Sequence, residues 1–397
     1  MCVRSDVVII GAGAAGLSLA ERLCTATGRS AMTVRLVQPP PGPLRPPPRT
    51  WCFWESGAGR YDEAVTAAWN RMRVRGTDGR LVDTRTDALR YKMIRSPDFE
   101  AAVERRLASR AAPVRTEGVV EGIEGTARGA QVLLRTAQGR HETLSARWVF
   151  DSRPLGSLPP ARTTLLQHFR GWFVRTTRPV FDPDSVELMD FRTPQPERGL
   201  AFSYVLPTSP HSALVEYTQF SPSVLPSEEY DRALRAYLDT VLAVRDYGIE
   251  AREEGVIPMT DARFARQSGQ SVFRIGAAGG ATRPSTGYTF AAIQRQTAAI
   301  AAALHAGRRP VPPAPHSPRS RAMDAILLHA LASGRLDGAA FFTRLFSRVP
   351  AQRLLRFLDG ATSVYEDLAI GLNSPVLPLL RSAATLPAQP LRPFPGP

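Results

Sequence analysis

The order of apolar and polar positions along the chain predicts strand, helix and strand from the start. Val7–Ile10 is a continuous apolar run, as a strand buried on both faces requires. Leu17–Cys24 then takes a helical spacing, and Met32–Val37 is a second apolar run. The three close within about thirty residues, the size of one βαβ unit. Pro39–Pro48 holds seven prolines in ten residues, which excludes helix and central strand. The stretch after it, Arg49-Thr-Trp-Cys-Phe-Trp-Glu55, reads as a loop carrying three aromatics. Thr84–Ile94 has strand character, and Ser96-Pro-Asp98 opens a helix from Phe99 to Arg110, with proline at its favoured first position. Val114–Leu134 reads as two or three short strands, and Val149-Phe150-Asp151 as the acidic end of another buried one.

From Gln167 to Phe220 the pattern changes to strands of an antiparallel kind: Gln167–Arg175, Val186–Arg192, Ala201–Leu206 and Ala213–Phe220, separated by proline-rich turns. Glu228–Arg245 is helical in spacing, with Ser227 as its expected cap. Ser271–Gly276 is a strand that enters a glycine-rich stretch ending at Tyr288, followed by a helix over Thr289–His305. A proline-rich linker, Arg308–Pro318, precedes three helices at Ala322–Gly334, Gly338–Ser347 and Ala351–Leu358. The expected organisation is α/β. Residues 1–60, 90–166 and 265–307 form a discontinuous Rossmann-like domain. Residues 61–89 and 167–264 form an antiparallel substrate domain, and 316–397 a helical segment.

At 397 residues and 43% hydrophobic content the chain can bury a sizeable core. Its net charge of +14 is almost all arginine, since Lys92 is the sole lysine. Such a charge favours an anionic surface, and with no nucleic-acid motif present the expected surface is lipid. Cys2, Cys24 and Cys52 have neither metal-like nor disulfide-framework spacing, which points to a reducing compartment. No apolar run reaches the eighteen-odd residues of a membrane span, and no signal peptide opens the sequence. The expectation is a cytoplasmic protein that meets a membrane from the side.

Gly11, Gly13 and Gly16 stand directly after the first strand in G-x-G-x-x-G spacing, with Ala14 among them at the helix start. The first glycine permits the tight turn, the second lets backbone amides approach a pyrophosphate, and the third lets helix pack on strand. The helix N-terminus then offers its free N–H groups to the phosphate. A dinucleotide is therefore expected here, although Gln38 stands where an acidic residue would bind the ribose. The second glycine-rich stretch, with Gly276, Pro284, Gly287 and Tyr288, has the order of the flavin-binding half of aromatic-hydroxylase-type enzymes. That favours FAD over NAD, even though Ala277 replaces the acid that holds the ribityl chain.

Taken in order, Arg49–Glu55, Tyr91-Lys-Met-Ile-Arg95-Ser, Val149-Phe-Asp151-Ser-Arg, Gly171-Trp, Met189-Asp190 and Phe202–Pro207 form a series. Leu214-Val-Glu216-Tyr-Thr, Glu254-Gly-Val-Ile-Pro258, Pro284–Tyr288 and Phe357–Ser363 continue it. The whole series resembles the flavin-dependent lycopene β-cyclases of bacterial type. The resemblance implies a reaction without net redox change: an acid protonates the end of a linear polyene, the cation closes to a ring, and a proton leaves. Lycopene would pass through γ-carotene to β-carotene, with reduced FAD required and NAD(P)H as electron donor. It implies Glu216 as the acid, Asp190 as a second acidic residue along the polyene, and cofactor contacts at Arg95 and Asp151.

Protonating an alkene needs a carboxyl kept neutral by an apolar site. Alternation around Glu216 leaves open which face it takes, because both faces carry apolar residues. Trp172, Phe202 and Tyr204, with Phe173 and Phe191, are the aromatic candidates for holding a cation. His168 and His211 are alternative acid–base groups. The same fold also suits an FAD monooxygenase of aromatic-hydroxylase type, a carotenoid-binding protein without catalysis, or a cyclase of another prenyl chain.

Overall fold

The computed structural model describes residues 4–24, 32–108, 112–126 and 128–394. Cys2 and the expected helix end at Arg110 fall outside them. Three sheets organise the fold. In the first, Val272–Arg274, His141–Asp151, Arg4–Ile10, Val34–Gln38 and Val114–Thr126 lie parallel in that order. Gly129–Thr136 runs antiparallel to the free halves of the two long strands. Val7 and Ile9 face helices Ala14–Cys24, Ser96–Ala108 and Phe290–His305, while Val8 and Ile10 face Val132 and Leu134. Burial on both faces is why the first strand is apolar throughout.

The second sheet has seven strands, in the order Tyr247–Thr260, Thr164–Thr176, Ser212–Ser221, Leu200–Ser209, Ser185–Asp190, Arg71–Arg75 and Leu81–Arg85. One face packs on helix Ser227–Ala236 through Trp172, Val215, Tyr217, Tyr230 and Leu234. The other face joins the largest core, which the C-terminal helices complete. The α/β architecture is the expected one, with a Rossmann-like layer and a helical C-terminal segment, but the second sheet is mixed: Ser185–Asp190 and Arg71–Arg75 run parallel, and its other pairs are antiparallel.

Several elements differ from the expectation. Arg49–Glu55 is not a loop, because Thr50–Ser56 is a strand paired with Leu89–Arg95, which also pairs with Val65–Trp69. Its period of two is hidden because both faces are apolar: Trp51 and Phe53 join the core of the first lobe, Cys52 and Trp54 that of the second. This small sheet crosses the domain limits expected at residues 60 and 89. Thr84–Ile94 is two strands in different sheets, Leu81–Arg85 and Leu89–Arg95. The helix expected to Arg245 ends at Ala236 and closes with a wide turn over Tyr237–Val241, and Ser227 lies inside it rather than capping it. Tyr247–Thr260, a strand of 14 residues, is not announced by the pattern because Glu and Arg interrupt its apolar positions.

The C-terminal helices Pro318–Ala332, Gly338–Arg348 and Ala351–Leu358 place Phe341, Phe342, Leu345, Phe346, Leu354 and Leu355 in the core. Those faces cap the seven-stranded sheet and do not face outward. Two further helices, Val364–Gly371 and Val376–Thr385, carry the exposed apolar side chains instead. Among the described residues, no helix is long and apolar enough to cross a membrane.

Candidate active site

The parallel strands end together. Ile10 is level with Val37 and Asp151, and Asp151 with Arg274, so Gly11, Gln38, Asp151 and Gly276 share one carboxyl-end crevice. That edge is where open α/β sheets bind ligands. Gly11 takes a left-handed φ of +96° and its amide donates to Val37 O at 2.8 Å. A Cβ on Gly16 would lie 1.8 Å from Gly11 O, so helix Ala14–Cys24 approaches the turn only because a side chain is missing. Around Gly13, by contrast, a Cβ would meet nothing within 4 Å. The crevice has room for a group directly over the amides that begin the helix.

Gln38 reaches the same edge, and its neighbour in register is Glu117, whose carboxylate is taken by Arg45 at 2.7 Å. Asp151 is likewise engaged, holding the Arg153 guanidinium through both oxygens at 3.0 and 2.8 Å. Ser152 braces the turn by donating to Ile10 O at 2.8 Å. Gly276 donates its N–H to Gln296 Oε1 at 3.0 Å, while Gln296 Nε2 is buried with no partner. The tight turn, the open space over Gly13 and this spare donor fit a bound dinucleotide.

The loop carrying Pro284 and Gly287 folds back over this edge. Gly287 has φ +72°, and a Cβ there would strike Gln167 Oε1, a buried acceptor with no partner. Arg283 and Ser285 clamp the loop to Asp324 at 3.2 and 2.7 Å. The loop delivers Tyr288, whose hydroxyl lies 3.1 Å from that of Tyr91 and whose ring meets Trp54 edge-on at 4.6 Å.

Glu216 stands opposite Tyr204 on one side and Gly171 on the other, on the face turned toward this loop and away from helix Ser227–Ala236. Phe202 shares that face and touches Tyr204 at 4.9 Å. Glu216 is 9% exposed. Burial raises its carboxyl, the nearby Glu253 carboxylate raises it further, and the Thr218 hydroxyl at 2.8 Å opposes both, leaving it at about 8. Burial also raises Glu253, which accepts from Thr50 Oγ1 at 2.7 Å and is partly relieved by Thr50 and Arg95. Arg95 lies over the Phe173 ring at 4.5 Å. The result is a carboxyl neutral at pH 7, with Tyr204, Tyr288 and Cys52 around it and Phe202 beside Tyr204.

Two expected site residues lie elsewhere. Trp172 is one position out of phase with Glu216, so it faces helix Ser227–Ala236 and packs beside Tyr247, on the opposite side of the sheet. Asp190 is fully buried and pairs with Ser203, the position adjacent to Tyr204 and therefore also on the far face. It accepts from Arg192 at 3.0 and 2.7 Å and from the Tyr237 hydroxyl at 2.8 Å. That carboxylate is an ion-paired brace. His168 is on the far face too, between Ser221 Oγ and the Tyr230 hydroxyl, and burial lowers it to about 4, so its ring is neutral at pH 7.

The residues not anticipated are Glu253, Thr50, Cys52 and Tyr91. One signal for Glu253 was present: an isolated glycine inside a strand, such as Gly171, marks close approach by a neighbour.

Comparison with known proteins fits this arrangement. A family model described as lycopene cyclase protein matches residues 6–384. The chain belongs to the lycopene cyclase family. Comparison with curated sequences gives no match. Among solved structures, a flavoprotein/dehydrogenase from Cytophaga hutchinsonii has a TM-score of 0.64 at 13% identity, over 97% of this chain and 99% of that one. A geranylgeranyl bacteriochlorophyll reductase-like protein from Thermoplasma acidophilum gives 0.60 at 13%, over 97% and 100%. The p-nitrophenol 4-monooxygenase PnpA from Pseudomonas putida DLL-E4 gives 0.59 at 13%, over 99% and 100%. At that identity the likeness is one of fold.

Proposed function

We propose that this protein is a lycopene β-cyclase that holds FAD and uses Glu216 to start ring closure. The observation that carries the reading is a carboxyl neutral at working pH, set among aromatic rings beside the loop that carries Tyr288. Gly11, Gly13, Ala14, Gly16 and Gln38 would hold the adenosine and pyrophosphate of FAD, and Gly276, Pro284 and Gly287 its flavin end. When bound there and kept reduced by NAD(P)H, the flavin would supply negative charge that stabilises a nearby cation.

Glu216 gives its proton to the terminal double bond of the linear polyene. The resulting carbocation is attacked by the next double bond in reach, which closes a six-membered ring. A ring proton then leaves, so atoms and electrons balance and product is an isomer of substrate. Tyr204, Phe202 and Phe173 present π-faces to the cation and exclude water that would quench it. Repeating the closure at the second end takes γ-carotene to β-carotene.

Lycopene is insoluble, and we place the protein peripherally on the cytoplasmic face of the cell membrane. Tyr365, Leu368 and Leu372 recur at helical spacing and are 81%, 65% and 78% exposed. Leu377 and Leu380 follow on the next helix at 59% and 60%, beside the exposed Arg381. An apolar face with flanking cations, on a chain of net charge +14, suits the interface of an anionic bilayer.

The test is anaerobic incubation with lycopene-loaded liposomes, with FAD oxidised or chemically reduced, followed by separation of carotenoids. Rings that form only with reduced flavin, without its net oxidation, and disappear in a Glu216→Gln protein that still holds FAD are the expected result. Unchanged lycopene, from protein that holds flavin and oxidises NAD(P)H in air, would replace this reading with a monooxygenase.

A further inference from the structure

Strands Thr164–Thr176, Ser212–Ser221 and Tyr247–Thr260 set three residues in one row: Glu216, Gly171 and Glu253. Residues in register point to the same face, and neighbouring strands lie about 4.8 Å apart. Two carboxylates therefore rise from the sheet roughly 10 Å apart at their backbones, and the residue in the row between them has no side chain. The Glu216 chain leans into the gap: a Cβ on Gly171 would sit 3.4 and 3.5 Å from its Cβ and Cγ. It would also lie 2.8 Å from Leu214 Cδ1. Glycine at 171 puts no side chain of its own between the two acids, and the Leu214 methyl and the first carbons of Glu216 border the space above it.

We propose that Glu253 is the positioning residue for Glu216: the pair, set on either side of Gly171, holds one proton, and the Glu253 charge keeps it on Glu216. This rests on the reading of Glu216 as the acid. Two carboxylates in one partly desolvated site do not both ionise readily, so one proton is retained well above the usual carboxylate range. Glu253 takes the charge because it is better placed for it. It accepts from Thr50 Oγ1 at 2.7 Å, has Arg95 beside it, and is less buried than Glu216. Glu216 keeps the proton.

Apart from Arg95, the titratable groups that the described residues turn toward the pair are neutral near pH 7. Tyr204, from the adjoining strand, Tyr288, from the loop, and Tyr91 and Cys52, from the small sheet, all have their acidity suppressed by burial. Only Arg95 among these facing groups brings a charge, on the Glu253 side. During ring closure the pair loses one proton to the inner carbon of the terminal double bond, which leaves the tertiary cation that closes the ring. Glu216 regains one from the ring, so the pair ends as it began.

The experiment titrates the protonated-carboxyl infrared band of the FAD-loaded protein without substrate, alongside the pH profile of kcat with lycopene. The wild-type band should persist above pH 6 and vanish in Glu216→Gln. In Glu253→Gln its titration should fall by at least one pH unit, with the alkaline limb of kcat moving by the same amount at unchanged KM. Glu253→Asp, which restores the charge, should move both back toward wild type. A titration at the same pH in wild type and Glu253→Gln would overturn the proposal, as would a wild-type band that is absent above pH 6. A band that behaves as expected in a protein that makes no ring would leave the pair standing and remove the cyclase reading.

Discussion

Thr218 donates its hydroxyl to Glu216 Oε1 at 2.8 Å, from two positions along the same strand. This bond favours the ionised carboxyl and so works against burial and Glu253. Thr218→Val keeps the shape and removes the donor. A hydrogen bond to a charged group contributes about 1.5 kcal/mol, or roughly one pH unit. The alkaline limb of the cyclase rate should therefore move up by that amount, the opposite direction to Glu253→Gln. Rate measured against pH in the two variants separates them.

The raised carboxyl also links stability to pH. The ordinary value is 4.5 and the folded value about 8, so between these limits the folded state binds the proton and the unfolded state does not. Stability from this group is complete below about 4.5 and falls as pH rises toward 8, by about 1.4 kcal/mol per unit at most. Glu216→Gln removes the dependence. Its thermal midpoint should gain on wild type progressively from pH 5 to pH 8, and equal midpoints across that range would count against a neutral Glu216.

The glycines of the first turn make separable predictions. A methyl on Gly16 would collide with the backbone at Gly11 O, so Gly16→Ala should lower the melting temperature even without FAD. A methyl on Gly13 meets no protein atom. Gly13→Ala should melt within about 0.5 kcal/mol of wild type as apoprotein. It should still bind FAD about tenfold more weakly, because the methyl enters the space the pyrophosphate needs. Calorimetry and flavin titration on the two proteins decide this.

Much of this site is legible in the sequence, for identifiable reasons. The turn at Gly11–Gly16 is local, and its strand, helix and strand occur within one short window. Phe202 and Tyr204 can be placed together because strand periodicity puts alternate residues on one face, whereas Glu216 joins them only through strand pairing. What the sequence withholds is pairing between distant strands. Trp172 and Asp190 look as suitable as Phe202 until the register puts them on the helix side. Glu253 is separated from Glu216 by a helix and a turn, and only the shared neighbour Gly171 joins them.

Asp190 gives a test of that correction. Its carboxylate is fully buried and holds Arg192, whose side chain is 29% exposed. Asp190→Asn leaves the guanidinium and the Tyr237 hydroxyl without their acceptor charge. With partial solvent screening of Arg192, the loss of stability should be about 1–3 kcal/mol. Because Asp190 lies across the sheet from Glu216, ring formation per bound flavin should stay near wild type in the folded fraction. A stable Asp190→Asn protein that makes no rings would return Asp190 to the chemistry.

The exposed C-terminal helices separate docking from catalysis. Leu368, Leu377 and Leu380 lie outside every core cluster and on the solvent side of their helices, so glutamates there disturb little packing. Fully burying a leucine in an apolar phase contributes about 1.5–3 kcal/mol, and a carboxylate adds repulsion from anionic lipid. Leu368→Glu with Leu380→Glu should therefore weaken flotation with phosphatidylglycerol vesicles by at least tenfold. Neutral phosphatidylcholine vesicles should bind wild type more weakly than anionic ones, by an amount that shrinks in high salt. Lycopene delivered in detergent should still be cyclised at the wild-type rate, because Glu216 and its surroundings are untouched. If the double variant floats as well as wild type, docking lies on another surface.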